Sequence, residues 1–221
     1  MIVAIDGPAG SGKSSTAKAA AARLGAVYLD TGAMYRAVTL KALRRGIAFT
    51  DDGALEAVMR ETEIAFEGAP PDTRIILDGE DVSAEVRSDE VTKNVSDYCA
   101  RDAVRKALVD QQRKIAAGHT VVCEGRDICT VVFPNAEVKI YMTASVEERA
   151  KRRQRDFAAM GIDKPLEELI ADIETRDRKD STRSNSPLTK AEGAVEMDTT
   201  GMTLDEQIDF IVKLTKMQRR D

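Results

Sequence analysis

The most restrictive stretch of the chain is GPAGSGKS, Gly7 to Ser14. Three glycines and a proline in eight residues rule out a continuing strand or helix, so the chain must turn there. The run fits G-x-x-x-x-G-K-[ST]. It follows an apolar stretch, Ile2–Asp6, and precedes an Ala- and Lys-rich one, Ser14–Leu24, which Gly25 ends. Strand, glycine turn and helix in that order make a concave row of backbone N–H groups at a helix N-terminus, which attracts phosphate. Lys13 adds positive charge against the terminal phosphates, and Ser14 offers Mg²⁺ a hard oxygen ligand. A surface glycine turn beside a stray lysine needs neither flank. The stretch reads as a site for a nucleoside triphosphate with Mg²⁺, formed by Gly7, Pro8, Ala9, Gly10, Ser11, Gly12, Lys13, Ser14 and Ser15.

Hydrophobic periodicity extends the pattern. Ala26–Asp30 reads as a strand. Thr31–Gly46 reads as a helix, with Met34, Val38 and Leu43 on one face. Strand alternating with helix predicts an α/β parallel sheet covered on both faces. The pattern then breaks. A helix over Ala54–Thr62 is followed by short antiparallel strands, Ile64–Phe66 and Arg74–Leu77, around the turn-forming EGAPPDT. Helices are expected over Ser88–Ser96 and Asp102–Ala117. Residues 63–99 read as an insertion into the core. Strands resume at His119–Cys123 and Val138–Met142, charged helices at Ser145–Met160 and Pro165–Arg178. Strand Ala194–Asp198 and helix Leu204–Met217 close the chain. Lys179–Glu192, rich in Ser, Thr and Lys, is expected to be the least ordered stretch. The expectation is one domain over residues 1–221.

A net charge of −5, 4% aromatics and no tryptophan argue against nucleic acid as a partner. No apolar run reaches membrane-spanning length. MIVAID at the start lacks the basic and apolar regions of a signal peptide, and three cysteines without C-x-x-C spacing suit a reducing compartment. A cytoplasmic protein is therefore expected. With no heptad seam, a monomer is expected. Cys99, Cys123 and Cys129 read as small core or near-core residues. His119, the only histidine, starts a strand without a Cys or Asp companion and reads as structural.

Three classes of triphosphate protein fit the loop. A GTPase-type switch needs N-K-x-D after a later strand, and the chain has none; DTTG at Asp198–Gly201 reads as a strand end. A kinase acting on a sugar-like hydroxyl needs a carboxylate to take the proton. A kinase acting on a nucleoside monophosphate needs no base, because a phosphate with a second pKa of about 6 is already largely dianionic. It needs cations in several separate places to gather two polyanions. Arg36, Arg87, Arg105 and Arg126 are so dispersed, as are the arginines of EERAKRRQR (Arg149, Arg152, Arg153, Arg155) and TRDRKDSTR (Arg176, Arg178, Arg183). A solvated helix face laced with i,i+4 pairs also accounts for Arg149–Arg155. TRDRKDSTR crowds ions into a Ser/Thr-rich segment and reads better as a mobile basic lid over phosphates.

IDGPAGSGKSS, YLDTGAMYR, LDGEDVSAEVRSDEV, VRKALVDQQR, EGRDICTVVFPNAEVKIYMTAS and RDRKDSTRSNSPL together resemble the bacterial cytidylate kinases, in the same order and over nearly the whole chain. The resemblance implies a P-loop nucleoside monophosphate kinase fold. Its features are a five-stranded parallel sheet flanked by helices, a monophosphate-binding insertion at residues 63–99, and a lid at about 148–185. It implies transfer of the γ-phosphoryl group of ATP to CMP or dCMP. By the same resemblance, Thr31 contacts cytosine, Arg36 and Arg126 bind phosphate, and Ser96, Arg105, Asp127 and Arg183 surround the base. Arg176 and Asp180 contact the sugar hydroxyls. Arg149, Arg152 and Arg153 are lid arginines near the transferred group, with Lys13 and Arg126 completing the catalytic set. Glu124 stands near Mg²⁺ beside Ser14. The residue types suit cytosine, whose Watson–Crick edge shows two acceptors and a donor. Arg meets the acceptors, and Asp, Thr or Ser the donor. Cys129 stands where many relatives carry Gly, so a positive φ there would strain it.

Overall fold

β1 (Ile2–Asp6) is apolar on both faces because it is buried on both faces: Val3, Ala4 and Ile5 are fully enclosed. In the computed structural model, which describes residues 1–70, 72–159 and 161–218, it is the centre of a five-stranded sheet. The other strands are β2 (Val27–Asp30), β6 (Val121–Gly125), β7 (Val138–Thr143) and β8 (Val195–Asp198), in the order β2-β6-β1-β7-β8. Every pairing is parallel. The α/β sheet flanked by helices is thus as expected.

Alternation along β1 divides the interior. Val3 and Ile5 face α1 (Lys13–Leu24) and α8 (Leu204–Gln218), meeting Ala17, Ala20, Ala21, Ile208 and Ile211. The alanines carry little bulk, which lets α1 lie close to the sheet. Gly25, at φ 61, ends α1 in the left-handed conformation. Ala4 faces the opposite layer, built from α2 (Thr31–Arg44) and α5 (Asp102–Ala116). That layer runs on into α3 (Asp52–Arg60), α4 (Asp89–Cys99) and a small antiparallel sheet. The small sheet joins β3 (Ile64–Glu67), β4 (Arg74–Leu77) and a short β5 (Glu80–Asp81) that periodicity did not reveal.

α6 (Val146–Ala159) and α7 (Leu166–Thr182) form a hairpin with its own apolar cluster of Ala150, Leu169 and Ile173. Met160, the expected last residue of α6, lies outside the described residues. Two sequence expectations are corrected here. The stretch from Lys179 is not wholly irregular: α7 continues through Thr182 and carries Arg176 and Asp180 on a helix. Hydroxyls of Ser181 and Thr182 turn back onto the Asp177 and Arg178 carbonyls, so residues that look loop-like in composition sit within the last turn. His119 does not begin a strand either. It is exposed in a bend, and β6 starts at Val121.

Candidate active site

β2, β6 and β1 are neighbours, and each ends at a feature singled out in the sequence. The register aligns Asp30 with Glu124 and Asp6 with Gly125. Ligands of open parallel sheets bind beyond such carboxyl ends. Beyond β1 the glycine loop closes tightly: a Cβ at Gly7 would lie 2.0 Å from the Met142 carbonyl oxygen. Gly12, at φ 95, caps α1. Lys13 curls over the loop, and its Nζ donates to the Pro8 carbonyl at 2.7 Å and to Ser11 Oγ at 3.3 Å. Burial, helped by the Arg126 charge, pushes the Lys13 amine down to about 7.

The arginines of α6 divide. Arg149, almost fully buried, donates to the Ala9 carbonyl at 3.0 Å and pairs with Asp177 of α7 at 2.7 Å. Arg152 donates to the Ser11 carbonyl at 3.2 Å and to Thr199. Both therefore brace the phosphate loop from behind. Lys151 and Arg155 form pairs on the solvated face with Glu147 and Glu148. The Arg153 guanidinium lies over the Phe157 ring, 5.5 Å from its centre.

Ser14 Oγ donates to Glu124 Oε1 at 2.6 Å. The Tyr28 hydroxyl reaches the same oxygen at 3.4 Å, and Thr31 Oγ1 donates to the Glu124 backbone carbonyl at 2.7 Å. Glu124 thus joins the end of the glycine loop to the first turn of α2. Asp30, which caps α2 through the Ala33 N–H, is pushed up to about 6 by burial and by Glu124 beside it. The Ser14 hydroxyl and Glu124 carboxylate are hard oxygens. Among the described residues no group of three His, Cys, Asp or Glu gathers as a protein cage for a metal. Two protein oxygens suit Mg²⁺, which keeps waters and phosphate oxygens for its remaining positions.

Next to this pair opens a cleft lined by Thr31, Arg36, Ser96, Arg105, Arg126 and Asp127, together with Arg176, Asp180, Arg183 and Glu124. The fold has drawn nine expected acceptor residues from α2, α4, α5, the turn after β6, α7 and the turn after α7. Arg36 donates to Thr92 Oγ1 at 2.8 Å. Arg105 and Asp127 form a buried ion pair, and Arg183 approaches the same carboxylate at 3.7 Å. Arg126 binds Asp180 at 2.8 Å. Burial opposes ionisation of Asp180, yet Arg126 and Arg176 hold its carboxyl below the usual range. Burial, then Arg126 and Arg36, pushes the Arg176 guanidinium down to about 9. The Arg176 Nε is enclosed with no hydrogen-bond partner. Cations crowded together with a donor unmatched suit an anion.

Asp6 was legible only as the acid ending a strand. Its buried carboxylate accepts the N–H groups of Ile128 and Cys129 at 2.8 Å each and so fixes the turn that follows Arg126 and Asp127. That turn is a π-type coil over Ile128–Val132. The suspected strain at Cys129 is absent: among the described residues only Asp78 and Ser186 combine a side chain with a positive φ. Cys129 fits because its Sγ is buried against the Ala4 carbonyl, 3.5 Å away. Asp177, Thr199, Tyr35 and Ser186 also contact site residues and were not singled out in the sequence. Only their long-range partners reveal them.

A family model described as cytidylate kinase matches residues 3–217. A relative named cytidylate kinase from Lactiplantibacillus plantarum is 49% identical over 217 residues, covering 98% of this chain and 95% of its own. One of the same name from a Geobacter species is 48% identical over 216 residues, covering 98% and 93%. A crystal structure of an uncharacterized protein from Eubacterium ventriosum superposes with a TM-score of 0.54 at 13% identity, covering 98% of each chain, which is a likeness of fold alone.

Proposed function

This chain belongs to the cytidylate kinase family, and we propose that its residues divide the transfer of the γ-phosphoryl group of ATP to CMP or dCMP as follows. The loop from Gly7 to Ser15 cradles the ATP phosphates with its backbone N–H groups, and Lys13 neutralises the terminal ones. Ser14 and Glu124 hold Mg²⁺, which when bound supplies charge neutralisation between the phosphates. Arg36 and Arg126 hold the acceptor phosphate in line, Arg176 and Asp180 orient the sugar, and Thr31, Ser96, Arg105, Asp127 and Arg183 read the base. Arg149 and Arg152 keep the loop rigid from behind. Arg153 leaves Phe157 to reach the moving group as residues 148–185 close. The protein acts as a cytoplasmic monomer, without nucleic acid or membrane. No described helix is long and apolar enough to cross one.

The observation that carries this reading is a charge count. The cleft is lined by five guanidiniums, Arg36, Arg105, Arg126, Arg176 and Arg183, against three carboxylates, Glu124, Asp127 and Asp180. The surplus of two positive charges matches a phosphate dianion. No carboxylate need serve as a base, because the attacking oxygen is already deprotonated. The test is ADP release with ATP and CMP, dCMP, UMP or AMP in turn. CMP and dCMP should turn over. UMP reverses two hydrogen-bonding groups of the edge, at N3 and at the 4-substituent, and should lose at least roughly tenfold in kcat/KM, at about 1–3 kcal/mol for each group left unpaired. Equal kcat/KM for CMP and UMP would overturn the base-pocket assignment.

A further inference from the structure

We propose that Ser186 is a positioning residue for base recognition, setting the gap between the Arg105 and Arg183 guanidiniums with one side-chain oxygen and one backbone oxygen. The inference rests on the reading that these two arginines face the acceptor base. The Ser186 hydroxyl accepts from Arg105 Nε at 3.2 Å, and the Ser186 carbonyl accepts from Arg183 Nε at 2.7 Å. A single residue thus anchors the inner nitrogen of both. Their outer nitrogens then converge on Asp127: Arg105 Nη2 pairs with it, and Arg183 Nη2 stops 3.7 Å short. That Nη2 is buried and makes no hydrogen bond. An unmatched donor beside an acceptor-only carboxylate suits a ring edge presenting both acceptors and a donor.

The hydroxyl itself is held in orientation. Ser186 Oγ donates to Asn185 Oδ1 at 2.8 Å, so a lone pair faces Arg105. Asn185 donates in turn to Asp102, the first residue of α5, the helix that carries Arg105. The backbone arrangement is uncommon for such a residue. Ser186 sits at φ 51, directly before Pro187. Asp78, the other case, belongs to a hairpin turn with Gly79 at φ 86, where positive φ at both central residues is the rule. Ser186 lies in no hairpin, and its conformation brings its hydroxyl and carbonyl to the two arginines.

The variant Ser186→Gly tests this, since glycine accepts the same φ, keeps the carbonyl and removes the hydroxymethyl side chain. KM for CMP should rise and the CMP-to-UMP ratio of kcat/KM should narrow, each by roughly tenfold, the scale of one lost hydrogen bond to a charged group. The kcat at saturating CMP and the melting temperature should hold. Ser186→Ala should give the same kinetic shift with a lower melting temperature, and it carries the test should the glycine variant not fold. Arg183→Met is assayed alongside. If it weakens CMP while both Ser186 variants leave KM and the ratio intact, Ser186 merely shapes the turn and the inference is overturned. If Arg183→Met is silent, the pocket reading fails and this inference fails with it.

Discussion

Lys13 has its amine folded onto its own loop, with burial and Arg126 pushing it down to about 7. An arriving triphosphate supplies the opposite charge and restores the protonated form, so nucleotide binding takes up a proton between about pH 7 and the ordinary lysine value. Calorimetry at pH 8.5 in buffers of differing ionisation heat should show that uptake in the parent and not in Lys13→Met; no uptake in the parent would exclude a depressed amine. Asp6 supports a second expectation. Asp6→Asn keeps one acceptor oxygen for the Ile128 and Cys129 N–H groups and turns an amide donor toward the other. It should cost about 1–3 kcal/mol by denaturant unfolding and weaken CMP through the displaced Arg126–Asp127 turn. Unchanged stability would show that the two N–H groups find other partners. The contrast explains what was legible at this scale. The role of Lys13 is written in its eight-residue neighbourhood, whereas the partners of Asp6 lie more than a hundred positions away.

The hairpin of α6 and α7 is the element whose chemistry was hardest to see. Charge spacing alone left Arg149–Arg155 divided between a solvated face and a phosphate-facing one. The structure has one face solvated and another, Arg149 and Arg152, bonded to carbonyls of the glycine loop, because successive helical residues point about 100° apart. Its apolar support is slight and self-contained: Leu169 packs with Ala150 and Ile173 away from the two main clusters. Leu169→Ala should cost about 2–5 kcal/mol, borne locally. Hydrogen exchange should show lost protection in α6 and α7 with β1 and β6 unchanged, and kcat should fall as Arg149 and Arg152 release the loop. A loss of protection spread evenly over the sheet would show the hairpin to be no separate unit. The extent of α7 escaped composition because Ser and Thr hydroxyls can cap a last helical turn as readily as they can end one.

Across the whole molecule, alternation of strand and helix made the five-stranded sheet legible, because each buried parallel strand announces itself as a short apolar run. The order of those strands was not legible, since pairing between residues such as Ile5 and Glu124 leaves no local trace. The sheet concentrates acids at one edge, with a consequence for stability. Asp6 and Asp30 are both pushed up to about 6, chiefly by burial. Between their unfolded values near 4 and about pH 6 the folded chain binds more protons than the unfolded one, so these two groups make stability fall as pH rises through that window. Urea midpoints at pH 4.5 and 6.5, compared with those of Asp6→Asn, should show a shallower fall in the variant; identical pH profiles would remove Asp6 from the effect.

The side-by-side ends of β2, β6 and β1 turn the sheet into a ruler. The loop that follows β1 and the helix that follows β2 are separated by two strand spacings, about 10 Å, with Glu124 on the graduation between them. Hydrogen-bonded backbone fixes that interval, not side chains. Surrounding loops are therefore free to vary while the interval between the two sides of the cleft stays constant.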